Sequence, residues 1–173
     1  MDEVTPTFPP LLHGVEVAAH VDPFAKAMAD AMVEAEPGRV TFARDSAAMR
    51  AAVTFVPDRA LKAALPGALF AVALGLNDAL GALAPPEVAV HFEWPGRVKV
   101  NGAYCGHLRA AAADSNPEAE PDWLVIGVDV PVMPLEARDP GHAPDQTRCG
   151  RKVVSIWARH SWWKAGRGTC LCG

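Results

Sequence analysis

The fold class predicted by this 173-residue chain is α+β, with a mostly antiparallel sheet packed by helices. Three observations predict it. Half of the residues are hydrophobic and 21% are charged, which leaves enough apolar material for a real core. Short runs with strand character, bounded by Pro, Gly and Asp turns, recur along the sequence. Two longer segments carry helix signals instead, and the order reads helix, two strands, helix, then a run of strands. The length fits one domain, or one domain with a small appendage.

Each element has its own local reason. Val17 to Glu36 has helix character. Asp22 serves as its cap and Pro23 as its first helical residue. Phe24, Ala27, Met28, Ala31 and Met32 recur at helical spacing, and Pro37-Gly38 stops the run. Arg39 to Ala43 and Ala51 to Val56 read as two strands joined by the polar Arg44-Asp45-Ser46, and Pro57-Asp58 ends the second. Leu65 to Leu83, rich in Ala and Leu, predicts a central helix on the sheet, with Asn77 and Asp78 on its exposed stripe.

Pro86 to Pro95 alternates as a strand and ends in a turn. Arg97 to Asn101 and Tyr104 to Ala112 form a hairpin around Asn101-Gly102, a strong turn signal. Asp114 to Pro121 is a surface loop, Asp122 to Val130 a buried strand, and Pro134 to Thr147 a polar, Pro-rich stretch without periodicity. Taken residue by residue, Trp94 reads as a core and turn residue and Asn101-Gly102 as a turn. Cys105 reads as a small buried hydrophobe, and His91 and His107 as ordinary strand residues. Gly106 and Gly127 read equally as packing positions or as close-approach glycines.

No run of about 18 uninterrupted apolar residues occurs, so no membrane partner is expected. Met1-Asp2-Glu3-Val4-Thr5-Pro6 is acidic and Pro-rich, unlike a secretory signal, and a cytoplasmic location is expected. Cys105, Cys149, Cys170 and Cys172 are too clustered at one end for a disulfide framework.

Charge breaks sharply near residue 147. Residues 1–147 hold all 20 acids and only ten of the 16 basic residues, a net −10, whereas residues 148–173 carry +6, no acid, and three of the five Trp. A basic aromatic tail could bind nucleic acid through Trp157, Trp162 and Trp163. Cys149, His160, Cys170 and Cys172 could hold a metal, but Cys-x-Cys is poor zinc spacing. Neither carries its usual motif, so no nucleic-acid partner and no metal site are expected. The expectation is that residues 1–147 are the domain and that residues 148–173 do not belong to the fold.

The order Glu93-Trp94-Pro95, Val100-Asn101-Gly102, Cys105-Gly106 and Val125-Ile126-Gly127-Val128 resembles the catalytic core of biotin and lipoate protein ligases. Phe55-Val56-Pro57-Asp58, followed by an apolar helix, fits the same order, and the resemblance covers roughly residues 20–147. It implies a biotin/lipoate ligase catalytic-domain-like fold, C-terminally truncated here. It also implies ATP with magnesium, biotin or lipoate as the small carboxylic acid, and transfer of the acyl group to a carrier-protein lysine.

The resemblance also assigns residues. The family's essential lysine position falls on Tyr104, with Lys99 nearby as the substitute cation; these are the expected catalytic residues. Arg44, Trp94, Asn101, Gly102, Gly106 and Gly127 are the expected substrate-binding residues. The acidic pair after Trp94-Pro95 is Gly96-Arg97, the Gly- and Arg-rich loop is reduced to Arg44 and Arg50, and a second glycine after Gly127 is Asp129. These departures leave a second expectation, an inactive relative acting as a small-acid or protein-binding module. The resemblance also bears on the tail. With ordinary codons from Ser161 onward, a two-base shift reads Leu-Val-Glu-Ser-Trp-Ala-Arg-His-Leu-Leu-Val-Trp, a family-like amphipathic run, so the C-terminus is expected to be frameshifted.

Overall fold

The computed structural model describes residues 8–44, 48–83 and 89–131. The expected Pro134–Thr147 stretch and the basic tail lie outside the described residues. Among the described residues, seven strands form one sheet: β1 (His13–Val17), β2 (Arg39–Ala43), β3 (Ala48–Phe55), β4 (Val90–Glu93), β5 (Arg97–Val100), β6 (Ala103–Ala112) and β7 (Leu124–Pro131). Their spatial order is β1-β2-β3-β7-β6-β5-β4. Only β1–β2 is parallel; every other pair is antiparallel. This is the predicted class, with one strand the sequence reading had not marked, β1 at the edge.

Helix α1 (Pro23–Val33) begins as its sequence dictates. Asp22 Oδ1 accepts the Phe24 N–H at 3.1 Å, and Pro23 occupies the first turn, where its missing N–H costs nothing. Ala27 and Ala31 are buried, and their small size lets the helix lie close on Ala52, Val125 and Trp123. Met32, counted by spacing on the apolar face, is 64% exposed and points away.

Helix α2 (Leu61–Leu83) starts four residues earlier than the apolar run suggests. Its first N–H groups find acceptors outside the helix, since Leu61 N–H donates to the Ala119 carbonyl and Lys62 N–H to that of Pro117. Pro66 sits inside this helix. By length and apolarity Leu61–Gly81 could cross a membrane; its sheet-facing Ala64, Leu69, Leu76, Ala79 and Leu80 are buried, and 28% of the segment is buried in all.

The two helices take opposite faces, and β7 shows why. Leu124, Ile126, Val128 and Val130 pack toward α2, while Val125 packs under α1. A strand buried on both faces reads as a continuous apolar run, as Leu124–Val128 does. Successive residues therefore serve alternate helices.

Arg109 on β6 ties α1 to the sheet. Its guanidinium donates to both Asp22 oxygens, at 2.8 and 3.1 Å, and stacks 4.6 Å from the Phe24 ring centroid. This pair, above all its hydrogen bonds, holds the Asp22 carboxyl below its ordinary range. A depressed carboxylate stabilises the fold above the ordinary aspartate range and loses that contribution as pH falls through it. Asp22→Ala is expected to cost about 1–2 kcal/mol in urea unfolding at neutral pH, from the lost cap and ion pair. The gap between wild type and variant should narrow at acid pH; a gap that persists unchanged below that range would refute the assignment.

Candidate functional site

The face of the sheet that carries α1 is covered only in part. Beyond the helix N-terminus it bears a row of polar side chains set by strand register. Arg50 on β3 lies opposite Asp129 on β7, Asp129 opposite His107 on β6, His107 opposite Arg97 on β5, and Arg97 opposite Glu93 on β4. The face follows from alternation. Val128 and Val130 flank Asp129, Val98 sits between Arg97 and Lys99, and these valines are buried on the α2 side. The Arg50 guanidinium donates to the Ala19 carbonyl, just ahead of α1.

At the β4–β5–β6 end of this row, four side chains form one cluster. The Tyr104 hydroxyl donates to Glu93 Oε2 at 2.5 Å and accepts from Arg97 at 2.9 Å. Lys99 Nζ lies 4.6 Å from the Tyr104 ring centroid and 3.5 Å from Glu93 Oε2, and the Arg97 guanidinium stands 4.8 Å from the same centroid. Two cations against one aromatic ring is a favourable electrostatic arrangement for an electron-rich face. The Tyr104 hydrogen bond, aided by Lys99 and Arg97, holds the Glu93 carboxyl below its ordinary range. The hydrogen bond to Tyr104 likewise raises the Arg97 guanidinium. With Glu93 ionised, the cluster presents two cations and one anion on an exposed face, which suits a carboxylate or phosphate oxygen.

The hairpin turn positions Lys99 against Tyr104. Asn101 and Gly102 have φ of 50° and 85°, both left-handed, as a two-residue type I′ turn demands. That turn pairs Val100 with Ala103 and Lys99 with Tyr104. A β-bulge between Val98 and Lys99 then sets Val98 opposite Gly106 and Arg97 opposite His107.

The expected site residues divide between several places. Tyr104 and Lys99 come together, and Gly127 shares their face. Gly127 is not an open cradle: a Cβ there would lie 2.5 Å from the Phe24 ring, so the protein's own side chain fills that space. Gly106 is a close-approach glycine toward β7, since its Cβ would meet the Asp129 carbonyl oxygen at 2.6 Å and Val130 Cα at 2.9 Å. Asn101 ties the strand entry, accepting the Ala89 N–H through Oδ1 at 2.9 Å, while its own N–H donates to the Ala89 carbonyl. Gly102 completes that exposed turn.

Arg44 lies apart from the cluster, whereas Trp94 borders it next to Glu93. Arg44 pairs with Glu16 at 3.0 Å near the β1 edge, with β3 and β7 between its strand and β6. Trp94 is 62% exposed and lines a groove of about 200 Å³ with Phe70 and Leu74 of α2, a groove that Glu93 of the cluster also lines. Thus one concavity does not join all the expected residues. Sequence reasoning missed Glu93, Arg97, His107 and Asp129 as a group, because only register brings them into one row. Among the described residues, no three His, Cys, Asp or Glu side chains gather to hold a metal ion.

Comparison with known proteins decides the family. Residues 8–161 match the biotin/lipoate A/B protein ligase family. The chain belongs to that family. Its matched stretch runs fourteen residues past the charge break at 147. A biotin protein ligase-like protein of unknown function from a Silicibacter strain has a similar structure, with TM-score 0.77 and 38% identity, over 93% of this chain and 70% of that one. The apo biotin protein ligase of Aquifex aeolicus shares the fold at TM-score 0.59 and 13% identity, over 90% of this chain and 70% of its own. The Leishmania major biotin protein ligase, solved with biotin, aligns at TM-score 0.50 and 16% identity, over 87% of this chain and 66% of that one. No curated protein matches the chain at a significant level.

The two glycines differ in what they touch. Gly106→Ala is expected to lower stability by about 1–3 kcal/mol, because the obstructing atoms are backbone of β7 and cannot yield. Gly127→Ala, which meets Phe24 Cδ2, Cγ and Cβ at 2.5, 3.1 and 3.3 Å rather than strand backbone, should cost less, because α1 can shift slightly where β7 cannot. Thermal unfolding of the two variants checks the order, and the reverse order would contradict the packing described.

Proposed function

We propose that this family member is an ATP-dependent ligase of the biotin/lipoate type. It would activate a small carboxylic acid such as biotin or lipoate and pass the acyl group to a lysine on a carrier protein. The observation that carries this reading is the Lys99–Tyr104 pairing. The sequence resemblance puts the family's lysine position at Tyr104, and a lysine on the neighbouring strand stands over that residue's ring.

Activation joins a carboxylate oxygen to the α-phosphorus of ATP, breaks the bond to the pyrophosphate oxygen, and leaves an acyl-adenylate. Two negative species must be brought together, so a fixed cation at the reacting oxygens stabilises the transition state. Lys99 would supply that cation, with Arg97 beside it and Tyr104 orienting both through Glu93. The carrier lysine then attacks the acyl carbon and AMP leaves. Magnesium would enter on the nucleotide's phosphates; no protein-held metal is assigned a step. The backbone turn at Asn101-Gly102 and the close-approach Gly106 would shape the cluster's strands, while Arg44, Trp94 and Gly127 would act at its margins or through packing.

A second reading has its own support. Tyr104, Arg97 and Lys99 all engage Glu93, so the cluster is already charge-compensated in part. A face of that kind can hold a small acid without activating it, as an inactive binding module would.

ATP–pyrophosphate exchange with biotin, lipoate or octanoate separates the two. The ligase reading predicts acid-dependent exchange that falls about 100-fold or more in Lys99→Ala, the scale of removing one transition-state donor. Tyr104→Lys should raise exchange, by restoring a cation at the family position. Thermal stabilisation by an acid with no exchange supports the binding module. Absence of both ATP binding and acid binding would overturn both readings.

A further inference from the structure

Helix α1 begins at the border of the polar row, and an aromatic side chain stands there. Gly127 and Arg109 are cross-strand partners one step along from the Asp129–His107 pair, and alternation turns all four toward the α1 face, as it does Val125 and Ala111. The Phe24 ring fills the space over Gly127, where a Cβ would lie 2.5 Å from Phe24 Cδ2. The Arg109 guanidinium stacks on the same ring, 4.6 Å from its centroid. That guanidinium is itself held by two hydrogen bonds to Asp22, at 2.8 and 3.1 Å. Strand backbone, cation and carboxylate together fix a ring that is only half-buried.

We propose that Phe24 is the end wall of the acid-binding face and limits it to short-chain carboxylic acids; this rests on the reading that the acid's carboxylate binds at the Lys99–Tyr104 cluster. Tyr104 and Arg109 lie on the same strand, β6. Strand rise puts the cluster and the residue that clamps the ring at most roughly 17 Å apart. Side chains at both ends take part of that length: Lys99 and Arg97 beside Tyr104, and the stacked Arg109–Phe24 pair opposite. An acid anchored at the cluster runs over His107 and Asp129 and ends against the ring. There the ring offers the chain end an apolar contact. A longer chain has to push the ring off Gly127 and break its stack on Arg109, so it binds worse although it carries more apolar surface. Size selection of this kind comes from fit against a fixed wall.

The test is a straight-chain series, hexanoate, octanoate and decanoate, titrated by calorimetry into the full chain, Phe24→Ala and Phe24→Leu, with ATP–pyrophosphate exchange read in parallel. The expected result is that wild type binds decanoate no more tightly than a shorter acid, and that the ratio of decanoate to hexanoate affinity rises about tenfold in Phe24→Ala, the scale of one or two methylenes of fit. Phe24→Leu, whose smaller side chain still covers Gly127, should fall between them, and it carries the test if Phe24→Ala does not fold. A ratio unchanged in the folded variants overturns the proposal, since the ring then only seats the helix or the acids sit elsewhere, as in the groove on α2. A shifted ratio without exchange at any acid supports the wall and removes the ligase reading. Exchange with an unchanged ratio does the reverse, and no binding of any acid overturns both.

Discussion

Strand β7 is the constraint on which the molecule depends. Its side chains alternate between the two faces of the sheet, with α2 over one face and α1 over the first part of the other, so each side chain has one place to go. Leu124, Ile126, Val128 and Val130 serve α2, and Val125 serves α1. Slipping the register by one residue would turn every one of these groups to the wrong helix. Burial on both faces fixes the strand, and β3 and β6 take their register from it.

The polar face follows from that fixed register. Helix α1 is short; its small residues lie on Ala52, Val125 and Trp123, and Phe24 covers Gly127. Where it begins, the same alternation that buries Val128 and Val130 turns Asp129 to the other side, in line with Arg50, His107, Arg97 and Glu93. Arg109 and Asp22 anchor the helix beside this row and keep its N-terminus from sliding over it. A scaffold can hold its shape while its site is rebuilt. Here the scaffold is that of the biotin/lipoate ligases, and Lys99 faces Tyr104 from the neighbouring strand.

Much of this was legible in the sequence where the cause is local. Asp22-Pro23 marks the start of α1 because a cap and a fixed φ act within a few residues. Asn101-Gly102 marks the turn because both residues tolerate positive φ, and a two-residue turn already dictates the Lys99–Tyr104 pairing. What escaped has distant causes. Strand β1 is short, largely exposed and paired in parallel with β2, so its hydrogen bonds come from a partner some twenty-five residues away. The first turn of α2 is satisfied by carbonyls of Pro117 and Ala119, beyond any local signal. The bulge at Val98–Lys99, which carries Arg97 to His107, leaves no mark in residue type. Trp94 is found in its turn but not in the core: it is 62% exposed in a groove against α2, a packing outcome that no local signal carries.

The central claim is that ligand chemistry belongs to the α1 face of the sheet, at the Lys99–Tyr104 cluster. Backbone amide NMR of the full chain, titrated with a non-hydrolysable acyl-adenylate analogue, tests it most directly. The account predicts the largest shift changes at Lys99, Tyr104, His107 and Asp129, with little change at Leu69, Phe70 and Phe92. Changes concentrated on those three α2-side residues, with Lys99 and Tyr104 unmoved, would contradict it.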